Sequence, residues 1–216
     1  MEFADRTEAG QLLADALERD FPELKSAGDV IVLALPRGGV PVGFEIAKKL
    51  NAPLDLIVTR KLGAPGNPEL AIGAVAEDGS VYLDPASGAY SSKKYLREEI
   101  QRQLLEIKKR IKKYRGGRPL ADLAGKICIL VDDGVATGST MKAATELAKN
   151  AGAKRIIAAV PVLPEDTLAA LEQKSEVVFL DTPSPFLAIG RFFRNFEQLE
   201  DAAVRGYLEA AGPASK

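Results

Sequence analysis

The sequence predicts an α/β fold in which a mainly parallel sheet is flanked by helices. Five short, continuous apolar runs, "DVIVLAL", "LDLIVTR", "KICILV", "KRIIAAVPVL" and "EVVFLDT", have the length and hydrophobicity of strands buried on both faces. Stretches with helical spacing of apolar residues lie between most of them, the alternation that builds a parallel sheet.

Taken in order, Thr7 is placed to cap a first helix, with Leu12, Leu13, Ala16, Leu17 and Phe21 along one face. "DVIVLAL" ends in "PRGGVPVG", "FEIAKKL" reads as helix, and "LDLIVTR" completes a βαβ unit over residues 30–60. "TRKLGAPGNPELAIG" carries Gly63, Pro65, Gly66 and Pro68, which predict a loop without regular structure. In "AIGAVAEDGSVYL" the Asp78-Gly79 pair between apolar runs signals a hairpin. From Ser91 to Tyr114 the residues Leu96, Ile100, Leu104, Ile107, Ile111 and Tyr114 recur at spacings of three and four, a helix about 35 Å long. "TMKAATELAKNAG" is a helix closed by Gly152, and "EDTLAALEQK" is another. "PSPFLAIGRFFRNFEQL" is aromatic and irregular, and a last helix is expected near Glu197 to Glu209. Residues 1–216 suit one domain, with no internal repeat.

Composition excludes several chemistries. There is no histidine, so Ser-His-Asp and Cys-His catalysis, a histidine proton shuttle and a histidine-bearing zinc site are all ruled out. Any metal would have oxygen ligands, which favours a magnesium-like cation. The single cysteine, Cys128, reads as a small buried hydrophobe within a strand. The net charge of −1 predicts no general affinity for polyanions. No apolar run has membrane-spanning length, and Met1 to Gly10 lacks a signal-peptide core, so a cytoplasmic protein is expected.

The stretch "ILVDDGVATGST", Ile129 to Thr140, concentrates the chemistry. It ends a strand on two acids and then runs through small and hydroxyl residues into a helix. Backbone amides at such a helix start, with hydroxyls of Thr137, Ser139 and Thr140, suit a phosphate. Asp132 and Asp133 beside it suit sugar hydroxyls or a divalent cation instead. The plainer reading makes one Asp a helix cap and the glycines a turn. Neither the Walker A nor the dinucleotide pattern is present.

This stretch closely resembles the phosphoribosyl pyrophosphate motif of type I phosphoribosyltransferases, and the order of elements is similar over most of the chain, above all to a small bacterial group of predicted phosphoribosyltransferases. The resemblance implies a core sheet with a separate C-terminal hood at residues 181–197. It implies transfer of a phosphoribosyl group to a nitrogen acceptor, nucleobase-like, with release of pyrophosphate and with Mg2+. Asp132 and Asp133 would then meet the ribose hydroxyls and the metal, directly or through water, and Ala136, Thr137, Gly138, Ser139 and Thr140 would hold the 5-phosphate. "LPRGGVPVG" stands at the place of the pyrophosphate loop: Arg37 supplies charge, Gly38 and Gly39 permit close backbone approach, and a non-proline cis peptide is expected near Arg37. Arg60 and Lys61 stand at the place of the mobile catalytic loop, within reach of pyrophosphate. Arg37, Lys61, Asp132 and Asp133 are the expected catalytic residues. Phe186 and Phe192 are the expected acceptor hood, among four Phe at 186, 192, 193 and 196. Ala136 replaces the acid that some purine-using members place there, so Glu69 or Glu77 is a candidate general base.

Residues 62–120 are an insert of loop, hairpin and basic helix. It holds eleven Lys/Arg from Lys93 to Arg118 against three Glu. One reading is a solvated helix whose apolar stripe packs on the core or on a sister subunit of a homodimer. The other is a platform for a phosphorylated or nucleic-acid partner. With it goes a rival function: a non-catalytic sensor of phosphoribosyl pyrophosphate or a nucleotide. Neither a membrane nor a nucleic-acid partner is the primary expectation.

Overall fold

The computed structural model describes residues 1–85 and 91–212. Residues 86–90 of the insert and 213–216 of the single expected domain lie outside the described residues.

Five parallel strands form the main sheet: β1 (Val30–Ala34), β2 (Leu54–Leu56), β6 (Ile127–Val131), β7 (Arg155–Val162) and β8 (Glu176–Asp181), in the order β2-β1-β6-β7-β8. Every residue of β1 and β6 is buried. That is why these strands read as uninterrupted apolar runs: alternate side chains enter opposite cores. One face, with Val30, Val32, Ile127 and Ile129, packs on α1 (Arg6–Asp20), α2 (Gly39–Leu50) and α6 (Asp201–Ala211). The other, with Ile31, Leu33, Cys128 and Leu130, packs on α4 (Ser139–Asn150) and α5 (Glu165–Glu172). Cys128 is fully buried, and burial pushes its thiol up to about 12, so it is the inert hydrophobe expected. Among the described residues no helix is long and apolar enough to cross a membrane.

Three expectations need correction at element ends. Asp5, not Thr7, caps α1: its carboxylate accepts the Glu8 amide at 2.9 Å, one residue ahead of the first turn. The run "LDLIVTR" is two strands. Ile57 still donates to the Ala34 carbonyl at 3.1 Å, but the Val58 amide turns to the Glu77 carboxylate at 3.0 Å and the chain leaves the sheet. The final helix begins at Asp201: Glu200 before it is extended, and residues 197–200 have no regular structure.

The segment expected to be irregular is instead regular. β3 (Thr59–Ala64), β4 (Asn67–Ala76) and β5 (Val81–Leu83) form an antiparallel sheet. Gly66, at φ +74°, turns β3 into β4, and Gly79, at φ +93°, makes the expected hairpin turn at Asp78-Gly79. The same glycines and prolines that suit a loop also suit a tight turn, so composition alone could not separate the two.

The helix α3 (Lys93–Arg115), capped by Ser92 and ended by left-handed Gly116, lies along this sheet. Leu96, Ile100, Leu104, Ile107 and Ile111 pack on Val58, Leu62, Ile72 and Val75, so its apolar stripe does cover a core. Polar contacts fix the register. The Tyr95 hydroxyl donates to the Gly63 carbonyl at 2.8 Å, and buried Glu99 accepts the Gly63 amide at 3.3 Å. At the other end, buried Arg115 pairs with Glu77, and Tyr114 and Lys113 both reach Asp201 at the start of α6.

These locks have measurable consequences. Burial raises the pKa of Glu77, against the lowering pull of Arg115. Glu77→Gln leaves the buried Arg115 guanidinium unpaired and is expected to cost about 3–5 kcal/mol in urea unfolding at neutral pH. Asp201 is held down from 3.8 to about 2 by Lys113 first and then by the Tyr114 hydroxyl. Its contribution is therefore complete above its unfolded value and disappears as pH falls through about 2. The stability gap between wild type and Asp201→Asn should be full near pH 5 and narrow steadily in urea titrations at lower pH.

Candidate functional site

β1 continues through α2 to β2 on one side, whereas β6 continues through α4 to β7 on the other. Strand order thus reverses between β1 and β6. The loops leaving these two strands diverge there, opening a crevice at the carboxyl ends of the sheet.

The loop after β1 holds "PRGG". The Leu35 amide donates to the Val131 carbonyl at 2.8 Å, which lays the loop against the end of β6. The Pro36–Arg37 peptide is cis, as the resemblance implied. Gly38 caps α2 without a side-chain hydrogen bond. A Cβ on Gly38 would lie 2.1 Å from an Asp133 carboxylate oxygen, and one on Gly39 would lie 2.4 Å from the Val131 carbonyl. Both glycines are therefore demanded by the acid pair they pack against, in addition to any ligand.

Asp132 and Asp133 follow β6 directly. Asp133 is buried, and its carboxylate accepts from Arg6 Nε at 2.7 Å. The same guanidinium donates from Nη1 to the Glu197 carbonyl at 3.0 Å and lies 3.9 Å above the Phe196 ring. Asp132 accepts the Asp133 amide at 2.9 Å and opens to the cleft described below. Burial and the neighbouring Asp133 charge push Asp132 well above the usual carboxylate range. Burial also raises Asp133, where Arg6 opposes the effect.

The following loop is fixed from outside. The Val135 amide donates to the Val162 carbonyl at 2.9 Å, and the Thr167 hydroxyl donates to the Ala136 carbonyl at 2.7 Å. Gly134 has no room for a side chain, since a Cβ would meet Ile189 at 2.6 Å. Gly138, left-handed at φ +74°, is the cap of α4, and no side chain satisfies the amides of that first turn. Neither acid caps the helix, so the plainer reading of the motif fails. Ala136 and Thr137 are exposed, Ser139 is buried, and the Thr137 and Ser139 hydroxyls lie 3.3 Å apart.

A cleft of about 400 Å3 joins Pro36, Arg60, Lys61, Asp132 and Thr140, so four of the expected site regions meet. Exposed Glu69 lines it too, whereas Glu77 is committed to Arg115 and Val58. The opposite wall comes from α3 through Glu99, Arg102, Gln103 and Arg110. Arg37 turns elsewhere. Its guanidinium lies 3.7 Å from Asp201, between a cavity with Lys113 and Arg205 and another with Arg6, Asp133 and Phe196. In the aromatic segment, Phe186 and Phe192 pack on each other at 5.4 Å. Phe193 is buried against Phe3 at 5.2 Å. Phe196 lines the cavity beside Asp133, with Arg6 over its ring and Phe193 stacked on it at 5.0 Å.

Sequence reasoning missed Arg6, Gln103 and Arg110. Arg6 meets Asp133 across 127 positions and carries no local motif. Gln103 and Arg110 had a signal: with Glu99 they repeat at four and seven along one face of α3, a polar stripe beside the apolar one.

Residues 4–190 match the family described as phosphoribosyl transferase domain. A Mycobacterium tuberculosis protein provisionally named phosphoribosyl transferase is 44% identical over 212 residues, 97% of this chain and 47% of that protein. The chain thus spans about half the length of the curated relatives it matches. The crystal structure of TT1426 from Thermus thermophilus is 41% identical, with a TM-score of 0.83 over 99% of this chain and 100% of that one. A Neisseria gonorrhoeae protein crystallised with bound ppGpp shares the fold at 12% identity and a TM-score of 0.51, over 98% and 96% of the two chains. The sheet with its switch-point acids, and a match spanning most of the residues, place this chain in the phosphoribosyl transferase family.

Proposed function

We propose that the protein transfers a phosphoribosyl group from 5-phosphoribosyl 1-pyrophosphate to a nucleobase-like nitrogen acceptor and releases pyrophosphate. The observation that carries this reading is the cleft in which Asp132, Thr140, Arg60, Lys61 and the Pro36 loop meet at the switch point. An unfilled first turn of α4, with hydroxyls at Thr137, Ser139 and Thr140, suits the 5-phosphate. Asp132, which opens to the cleft, suits the ribose hydroxyls and would hold negative charge beside an oxocarbenium-like ring, with Asp133 behind it paired to Arg6. Arg60 and Lys61 line the cleft and suit the departing pyrophosphate, whereas Arg37, turned to Asp201, would have to leave that contact to reach it.

The donor set suits a cation that arrives with the substrate. Among the described residues no group of three or more His, Cys, Asp or Glu could hold a metal ion, and Arg6 already occupies Asp133. Asp132, raised by burial and left without a cationic partner, is the carboxylate a magnesium ion would meet, with donor oxygens and water completing its shell. Bound there, magnesium would offset charge on the pyrophosphate. On the acceptor side, the Phe186–Phe192 pair suits a flat base, whereas Phe196 is already covered by Arg6 on one side and by Phe193, stacked at 5.0 Å, on the other.

Calorimetry with phosphoribosyl pyrophosphate and magnesium tests this. Wild type should bind, and Asp132→Asn/Asp133→Asn should bind about a hundredfold more weakly, since it removes the charged hydrogen bonds of Asp132 and leaves Arg6 beside the site without its carboxylate. No binding to the wild-type protein would sink the proposal. A screen of nucleobases and small amines for pyrophosphate release then names the acceptor.

A further inference from the structure

We infer that α3 is a functional wall of the donor cleft, on which Arg110 binds the diphosphate of the ligand and Gln103 aims Arg60 at the same group. This rests on the proposed donor site and adds to it a subsite built by the insert.

The geometry supplies the first argument. Arg110 and Arg60 line one cleft with Pro36 and Asp132, facing each other across a space suited to an anion. Gln103 accepts from Arg60 Nε at 2.9 Å through its side-chain oxygen and donates from its nitrogen to Glu99 at 2.8 Å. Glu99 in turn accepts the Gly63 amide, so α3 fixes both the strand that carries Arg60 and the direction of its guanidinium. Arg60 is thereby oriented but not neutralised, because the Gln103 oxygen brings no charge.

The second argument is electrostatic. Among the described residues Arg110 forms no hydrogen bond or ion pair. It is half-buried; the cations Arg60 and Arg37 act against its charge, and the carboxylates within electrostatic reach are Asp201 and Glu106, the latter shared with Lys109 and Arg60. Burial, then Arg60, lower its pKa, the reverse of what a guanidinium with a carboxylate partner experiences. Asp201 cannot compensate it fully, being shared by Lys113, Tyr114 and Arg37. Arg102 differs: it is largely exposed and pairs with Glu99, so it belongs to the rim. Converging cations that cost stability when empty are accounted for by a ligand with at least two negative charges.

Calorimetry on Arg110→Gln with three probes, each with magnesium chloride, separates the possibilities. The probes are inorganic pyrophosphate, phosphoribosyl pyrophosphate and ribose 5-phosphate. Pyrophosphate and phosphoribosyl pyrophosphate should bind about tenfold or more weakly than to wild type, while ribose 5-phosphate is unchanged. The melting temperature should stay level or rise, because a crowded charge is removed. Arg110→Lys, which keeps the charge and loses the fork, should fall between the two in pyrophosphate affinity. Unchanged pyrophosphate affinity, or a lowered melting temperature in both variants, would overturn the inference. Failure of the donor reading looks different: wild type would then bind neither phosphoribosyl pyrophosphate nor ribose 5-phosphate, whatever Arg110 does.

Discussion

The chain after β1 rests directly on the chain after β6, with no side chain between them at Gly38 or Gly39. Much of the site depends on this contact. It brings Pro36 into the same cleft as Asp132, and it packs the loop against the Asp133 oxygen that Arg6 holds. Any larger residue at Gly38 would have to displace the Asp133 carboxylate, since atoms at 2.1 Å overlap. The two glycines therefore belong to the acid pair as much as to the loop that carries them. A parallel sheet with a switch point supplies the crevice, but the missing Cβ atoms set how closely its two lips approach.

A second dependence runs through α3. A three-stranded antiparallel sheet bearing Arg60 and Lys61 has little core of its own, and Leu62, Ile72 and Val75 are buried by the apolar stripe of the helix. Glu99 and Tyr95 then fix the β3 bulge at Gly63, where a Cβ would come within 2.8 Å of Pro68. Because Glu77–Arg115 and Asp201–Lys113 hold the far end, the helix couples the insert to the main sheet and to α6. The same helix that buries the insert's core thus presents Gln103 and Arg110 to the cleft. Structural and binding roles are separated by about a quarter turn of one helix, not by distance along the chain.

The parallel sheet was legible in the sequence because β1 and β6, buried on both faces, carry no polar residue, and the other three strands keep apolar runs although β2 buries Asp55 and β8 starts and ends on acids. The acid motif was legible because a helix cap needs one short polar side chain, and Asp132 and Asp133 exceed that need; the structure caps α4 with Gly138. Contacts made by charged residues far apart in sequence were not legible. Arg6 at the start of α1 reads as a solvated cation until Asp133 is seen beside it. Arg37 reads as a ligand for pyrophosphate, yet it turns to Asp201, a residue of the last helix. The aromatic segment showed the density of rings but not their facing, since its backbone lacks the periodicity that would assign one. Phe196 rather than Phe186 or Phe192 reaches the acids because residues 192–195 pair with the N-terminal segment, from the Phe3 amide to the Asn195 amide.

Arg6 also resolves the charge problem that the motif poses. Two adjacent carboxylates oppose each other's ionisation, and burial raises both above the ordinary carboxylate range. Arg6 is built into the fold by the Glu197 carbonyl and the face of Phe196, and it satisfies Asp133 permanently. Asp132 receives no such partner; its nearest addition is the Asp133 amide, which weakly offsets its burial. The pair is thus divided into one acid neutralised by the protein and one left for whatever enters the cleft. Across that cleft the imbalance is reversed, because Arg60 opposes the charge of Arg110 and neither forms an ion pair among the described residues. An acid without a cationic partner on one wall and cations without ion pairs on the other match the ligand proposed above, with hydroxyls or a cation at one end and a diphosphate at the other. Neither wall alone would select such a ligand, because each answers only one of its two ends.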